Sequence, residues 1–184
     1  MTAAQHGRLS FRSSTPTRIE RSSPDCATVD RRREPCQDDV MGVINTYFIA
    51  SDDAAAASVV ETGPDAAHGP VLDAVDPTVQ AGTLQELLTG EPYDTITGER
   101  SWARLVSEPD HDSAWVVSLP GTFTEALAGA SDERLAEVVD PWSETEEFWG
   151  AGDPQYLLPM LRDWRALART ARERGAGLYC WNSL

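Results

Sequence analysis

Between Asp153 and Leu184 the apolar residues Leu157, Met160, Leu161, Trp164, Leu167, Ala168 and Ala171 recur at three- and four-residue intervals. That spacing draws one stripe along an α-helix, and a stripe this long must face a core. Asp153 is a ready acceptor for the free amides at the helix start, and Pro154 suits the first helical position, where a missing N–H costs nothing. Pro159 removes one interior hydrogen bond, so either a kink there or a helix proper beginning at Pro159 is expected. Arg172 and Arg174 complement the carbonyl end of the helix, and Gly175 supplies the residue past its end that tolerates positive φ. Leu178, Tyr179, Cys180 and Trp181 follow at once, apolar and aromatic enough to be a buried strand. A helix and a strand joined by one glycine turn form the unit on which the remaining elements must pack. Arg162, Arg165, Arg169 and Arg172 share the helical spacing but fall to one side of the stripe, so they are expected to be solvated.

The earlier chain divides at Met41. Residues 1–40 are rich in Ser, Thr, Arg and Pro and show neither helical nor strand periodicity. They offer too little apolar surface to offset the entropy of ordering and are read as a disordered extension, dispensable for folding. The Arg31 to Arg33 run is diluted by Glu34, Asp38 and Asp39, so it is not read as a basic recognition arm. Met41 stands directly before a strand pattern and is expected to open the domain, which then spans residues 41–184.

Val43, Ile44, Tyr47, Phe48 and Ile49 form the first strand pattern, and Ser51, Asp52 and Asp53 cap a helix expected over Ala54 to Glu61. A loop holding His68 follows. Asp76 and Pro77 open a second helix with Leu84, Leu87 and Leu88 on its buried face and Gly90 at its end. Residues 91–113 read as polar and turn-rich apart from Trp102 and Leu105. Trp115, Val116, Val117 and Leu119 make another strand, and three short helices are expected at Phe123 to Leu127, Asp132 to Val139 and Pro141 to Trp149. The expected architecture is a single compact α+β domain, a small mixed sheet packed with several helices.

These segments carry a resemblance. Met41-Gly42-Val43-Ile44 with its strand and helix, Leu72-Asp73 leading to Leu87-Leu88-Thr89-Gly90, the valine-rich strand before Phe123-Thr124-Glu125-Ala126-Leu127, and the closing helix with Gly175 and its strand are similar to the YfbM-like family of bacterial proteins of unknown function. The likeness covers Met41 to Leu184 and implies a compact α plus β domain with no established activity. In the helix before Gly90 the chain departs from the family pattern: Ala81, Gly82 and Gln85 stand where aromatic and histidine residues are expected. A site lined by that helix in relatives is therefore not carried over.

Charge narrows the range of functions. The net charge is −15, and residues 41–184 hold eight Arg against 24 acids, with no lysine anywhere. Such a field repels nucleic acid and anionic membrane, whose binding draws on clustered cations. No run of about 18 apolar residues exists, so no spanning helix is expected. Three cysteines without paired spacing suggest neither a disulfide framework nor a zinc site, and a reducing cytoplasmic setting is expected.

Candidate chemistry is sparse. Asp110-His111-Asp112 is the most reaction-like cluster, because a carboxylate can orient an imidazole as a general base. Adjacent residues rarely aim at one point, so a solvated loop histidine is the simpler reading. Asp140, Glu144, Glu146 and Glu147 could supply paired carboxylates, yet they lack the glycine-centred oxygen spacing of a calcium loop and read first as a charged helix face. Cys180, between Tyr179 and Trp181, reads as a buried, inert thiol. No H-E-x-x-H, Cys-x-x-Cys, P-loop, dinucleotide or Gly-x-Ser-x-Gly pattern is present, and no cofactor or metal is expected. Trp142, Phe148 and Trp149 lie among acids in a short segment, and aromatics rimmed by carboxylates suit a partner surface or a cationic ligand. Two readings follow. The first is an acidic protein-interaction or accessory module engaging a basic protein through Trp142, Glu146, Glu147, Phe148 and Trp149. The alternative is a hydrolase-like enzyme using His111, Asp110, Asp112 and nearby carboxylates.

Overall fold

The computed structural model describes residues 42–65 and 69–184. The expectations for residues 1–40, Met41 and His68 lie outside the described residues.

The first strand β1, Ile44–Ala50, pairs antiparallel along its whole length with β5, Gly177–Ser183, from Ile44 opposite Ser183 to Ala50 opposite Gly177. On its other side β5 pairs with β4, Ala114–Ser118, and two-residue strands β2, Leu72–Asp73, and β3, Arg104–Leu105, close the edges. The order is β2-β1-β5-β4-β3. Every ladder is antiparallel, where a mixed sheet was expected. The α+β class holds: among the described residues six helices accompany the five strands.

Side chains alternate across the sheet, as the two-residue period of a strand requires. Tyr47, Ile49, Val117, Leu178 and Cys180 enter the larger core, whereas Phe48, Ala50, Val116 and Tyr179 enter a smaller one on the opposite face. Ala56 and Val59, in and just after α1, Asp53–Ala57, cover that smaller core. The sheet is therefore covered on both faces. Helix α1 ends at Ala57 rather than Glu61 because the chain turns: Val59 O accepts from Gly63 N, and the Trp181 indole N–H takes the Val60 carbonyl.

The larger core is roofed by α2, Gln80–Thr89; α4, Gly121–Gly129; α5, Asp132–Ser143; and α6, Pro154–Arg174. In α6 the expected stripe is buried at Leu157, Leu161, Trp164, Leu167, Ala168 and Ala171, while Met160 is half-buried. Asp153 caps it by accepting from Gln155 N, and Gly175 ends it at φ 61°. The helix begins at Pro154 and passes Pro159 as one element, because a single missing hydrogen bond is outweighed by the stripe's burial. Trp164 lies between Tyr47 and Phe123, with ring centroids at 4.5 and 5.1 Å.

Two of the α6 arginines are not the free solvated groups that the sequence suggests. The Arg165 side chain is 11% exposed; it donates to the Ala130 carbonyl and pairs with Asp132 at 2.9 Å. Arg169 donates to the carbonyls of Ala128 and Ala130. Both therefore meet the carbonyl end of α4, which has no basic residue of its own in its last turn. Arg162 and Arg172 are exposed as expected.

Helix α5 also differs from expectation. It runs unbroken through Pro141 to Ser143, so the anticipated separate helix Pro141 to Trp149 is reduced to a single 3-10 turn, Glu146–Phe148. Pro141 falls in the last helical turn, where one lost bond is offset by burying Val138, Val139 and Trp142. The stretch 91–113 holds one unexpected helix, α3, Tyr93–Gly98, which buries only Ile96 and is too short to display a period.

Candidate functional site

The three aromatics expected on a partner surface separate by depth. Trp142 is fully buried, donating its indole N–H to Gln80 O and Thr83 Oγ1 at 3.0 and 3.2 Å. It is a core residue and leaves the candidate surface. The reason is that α5 continues past Asp140, which carries position 142 onto the same inward face as Leu135, Val138 and Val139. Phe148 is half-buried and meets Trp142 edge-on, with centroids 5.0 Å apart and planes at 86°. This contact pins the 3-10 turn to the core. Trp149 is 93% exposed.

The exposure of Trp149 is set by its backbone. Its φ of 50° and ψ of 33° are left-handed, a region that favours glycine and costs a bulky residue roughly 1–3 kcal/mol. Its side chain, buried against nothing, returns little of that cost to stability.

Trp149 forms one wall of a notch of about 350 Å³ completed by Asp76, Val79, Gln80 and Glu147. The walls other than Trp149 have identifiable supports. Asp76 Oδ1 accepts from Thr78 N and Val79 N at 2.8 and 2.7 Å, so this carboxylate caps the turn that starts α2. Gln80 bridges both sides: its Oε1 accepts from Asp76 N at 2.9 Å and its Nε2 donates to the Glu147 carbonyl at 3.2 Å. Beneath them, the buried Trp102 indole N–H donates to Thr78 O at 2.9 Å. The rim is thus held by three side chains of fixed geometry, while Val79 stays 38% exposed at its centre.

A second aromatic stands nearby. Tyr93, at the start of α3, has its phenol held above its ordinary range, first by burial and then by the charges of Glu147, Asp76 and Asp94. Those carboxylates therefore converge on one region although they lie far apart in sequence. Among the described residues no Arg or His forms an ion pair with Asp76, Asp94, Glu144, Glu146 or Glu147. By contrast Arg104, Arg134, Arg162, Arg165 and Arg172 are each paired with a carboxylate elsewhere.

Gly82, on the face of α2 toward α3, has a packing reason. A Cβ there would come within 2.7 Å of Tyr93 Cε2 and 3.0 Å of Thr97 Cγ2. The missing side chain on α2 is the seat of the Tyr93 ring. The sequence flagged this helix, but Tyr93 itself was missed because its neighbours carry no strand or helix pattern.

The other candidate cluster is elsewhere. His111 is in the loop between β3 and β4, where Nδ1 accepts from Ala114 N at 3.2 Å, which fixes a turn. Asp110 and Asp112 are exposed. Two further clefts among the described residues, one lined by Pro70, Val71, Leu72, Asp163, Ala166, Leu167 and Thr170 and one by residues of the β1 end and Arg174, also do not include His111. The Cys180 thiol is fully buried, and burial pushes its pKa well up, so it is held in the unreactive thiol form. Among the described residues no group of three His, Cys, Asp or Glu could hold a metal ion, and no helix is long and apolar enough to cross a membrane.

No family model, no curated protein and no solved structure matches the chain.

Proposed function

We propose that this chain is a cytoplasmic protein-interaction module, which presents an acidic, aromatic face to a basic partner. The observation that carries this reading is Trp149: a side chain 93% exposed, in a left-handed conformation, beside Glu147 and Asp76, which form no ion pair among the described residues. A large exposed aromatic that adds nothing to the core is the usual anchor of an interface, and unpaired carboxylates around it steer a cationic partner by long-range attraction. Glu146, Glu147, Phe148 and Trp149 remain the contact segment, with Asp76 and Val79 added to it. Trp142 supports the segment from below.

The test is capture of partners from host lysate by the tagged chain and by Trp149→Gly in parallel. A specific basic protein that is retained by the parent, released by added salt and lost with the variant supports the module. Recovery of the same proteins by both baits overturns it.

A further inference from the structure

We propose that the Trp149 notch is an arginine-binding site: the guanidinium of a basic partner segment lies on the exposed indole face, donates to Glu147 and Asp76, and rests its methylene stem on Val79. This inference rests on reading the acidic face as a partner surface, and it names the chemistry that the face selects.

Three features of the notch point to that occupant. The first is charge, since two carboxylates that form no ion pair among the described residues border a chain surface that is already strongly acidic. An anionic ligand would be repelled, and a neutral one would leave both carboxylates unused. The second is shape. The indole supplies a flat, electron-rich wall open to solvent on nearly its whole area, on which a planar cation stacks. Guanidinium is planar, permanently charged and less strongly hydrated than ammonium, so it loses less on leaving water for an aromatic and valine surface. The third is rigidity. Asp76 is committed to two backbone amides through Oδ1, which leaves its other carboxylate oxygen available to a ligand, and Gln80 fixes the spacing between the Asp76 and Glu147 segments. A held carboxylate at Asp76, with a second on the anchored Glu147 backbone, suits a fork of fixed donors better than it suits a single mobile ammonium.

The backbone makes the site separable from folding. Replacing Trp149 by glycine relieves the left-handed conformation and removes almost no buried surface, so the variant keeps the fold while losing the stacking wall. Trp149→Phe restores a smaller aromatic face.

Calorimetric titration of the full chain with a short peptide alternating arginine and glycine, and with its lysine counterpart, tests the proposal. The arginine peptide is expected to bind about tenfold more weakly to Trp149→Gly, which melts at or above the parent temperature, and Trp149→Phe is expected to recover part of the loss. Glu147→Gln is expected to weaken binding about threefold, with a shallower dependence on salt. Equal binding of both peptides, unaffected by Trp149→Gly, overturns the arginine site but leaves the acidic face as a docking surface. Failure of both peptides to bind overturns the site and the docking surface together.

Discussion

The closing unit of α6 and β5 and the turn between α5 and α6 are neighbours in sequence, and both place tryptophan among charged residues. Their outcomes are opposite. Trp164 is fully buried between Tyr47 and Phe123, whereas Trp149 is 93% exposed. In α6 the backbone is regular, so a 3.6-residue period assigns each side chain a direction before any tertiary contact is known. In the turn each residue's direction follows from its own dihedrals, and the left-handed φ at Trp149 sends its ring outward while Phe148, one position earlier, points in. Composition treats the two tryptophans alike; backbone periodicity separates them.

The comparison is broken most severely by removing Gly177 to Leu184. Strand β5 lies between β1 and β4, so its loss deprives both of their longest ladder. The truncated chain is expected to show no cooperative thermal transition, and a soluble, cooperatively melting product would show that the core is elsewhere. Next in size is Trp164→Ala, expected to cost about 3–5 kcal/mol in urea unfolding. Trp164→Phe sharpens the point. Among the described residues the Trp164 indole N–H has no hydrogen-bond partner, so the phenylalanine loses volume without orphaning an acceptor, and a cost below about 2 kcal/mol is expected.

Gly82→Ala probes the support of the exposed region. The added methyl meets the Tyr93 ring at 2.7 Å, an overpacking of about 1–3 kcal/mol that a helix-propensity gain of up to about 1 kcal/mol partly offsets. A stability loss of up to about 2 kcal/mol and a displaced Tyr93 resonance are expected. An unchanged Tyr93 signal would argue against its seat on Gly82.

A smaller effect is expected in alkali. The Tyr179 phenol is pushed up to about 12 by burial first and then by its hydrogen bond to Asp53. In the unfolded chain it ionises near pH 10, so folding retains a proton that the unfolded chain releases. That contribution is complete below about pH 10 and declines as the pH rises toward about 12. Urea midpoints should therefore fall over this window, and less so in Tyr179→Phe. Trp149→Gly is expected to have the smallest effect on stability, leaving the urea midpoint equal or slightly raised. A marked loss would mean that the turn depends on its indole.

The sequence made the regular elements readable. The stripe from Leu157 to Ala171, the Asp153 cap, the Gly90 and Gly175 ends and the strands around Tyr47, Val117 and Cys180 all follow local periodicity and capping chemistry. What it left unread is short or non-local. The two-residue edge strands and the six-residue α3 have no period to display. The engagement of Arg165 and Arg169 with the end of α4, and the bridge from Gln80 to Asp76 and Glu147, depend on elements that meet only after folding. The candidate site was half legible for that reason: Glu147, Phe148 and Trp149 stand out as aromatics among acids, whereas Asp76, Val79 and Tyr93 join them through tertiary packing.

The strand order also governs how the sheet can form in time. The central ladder joins Ile44 to Ser183, nearly the full span of the described chain, and no hairpin links β1 directly to β4. Local helices can form early, but the sheet must wait for a closure of high sequence separation, which slows folding relative to a helical chain of equal size. During that interval β1 and β4 expose the edges that β5 will cover, with aromatic and valine side chains beside them. Recovery from denaturant should therefore be limited by concentration, with dilute refolding returning native protein and concentrated refolding diverting chains into aggregates.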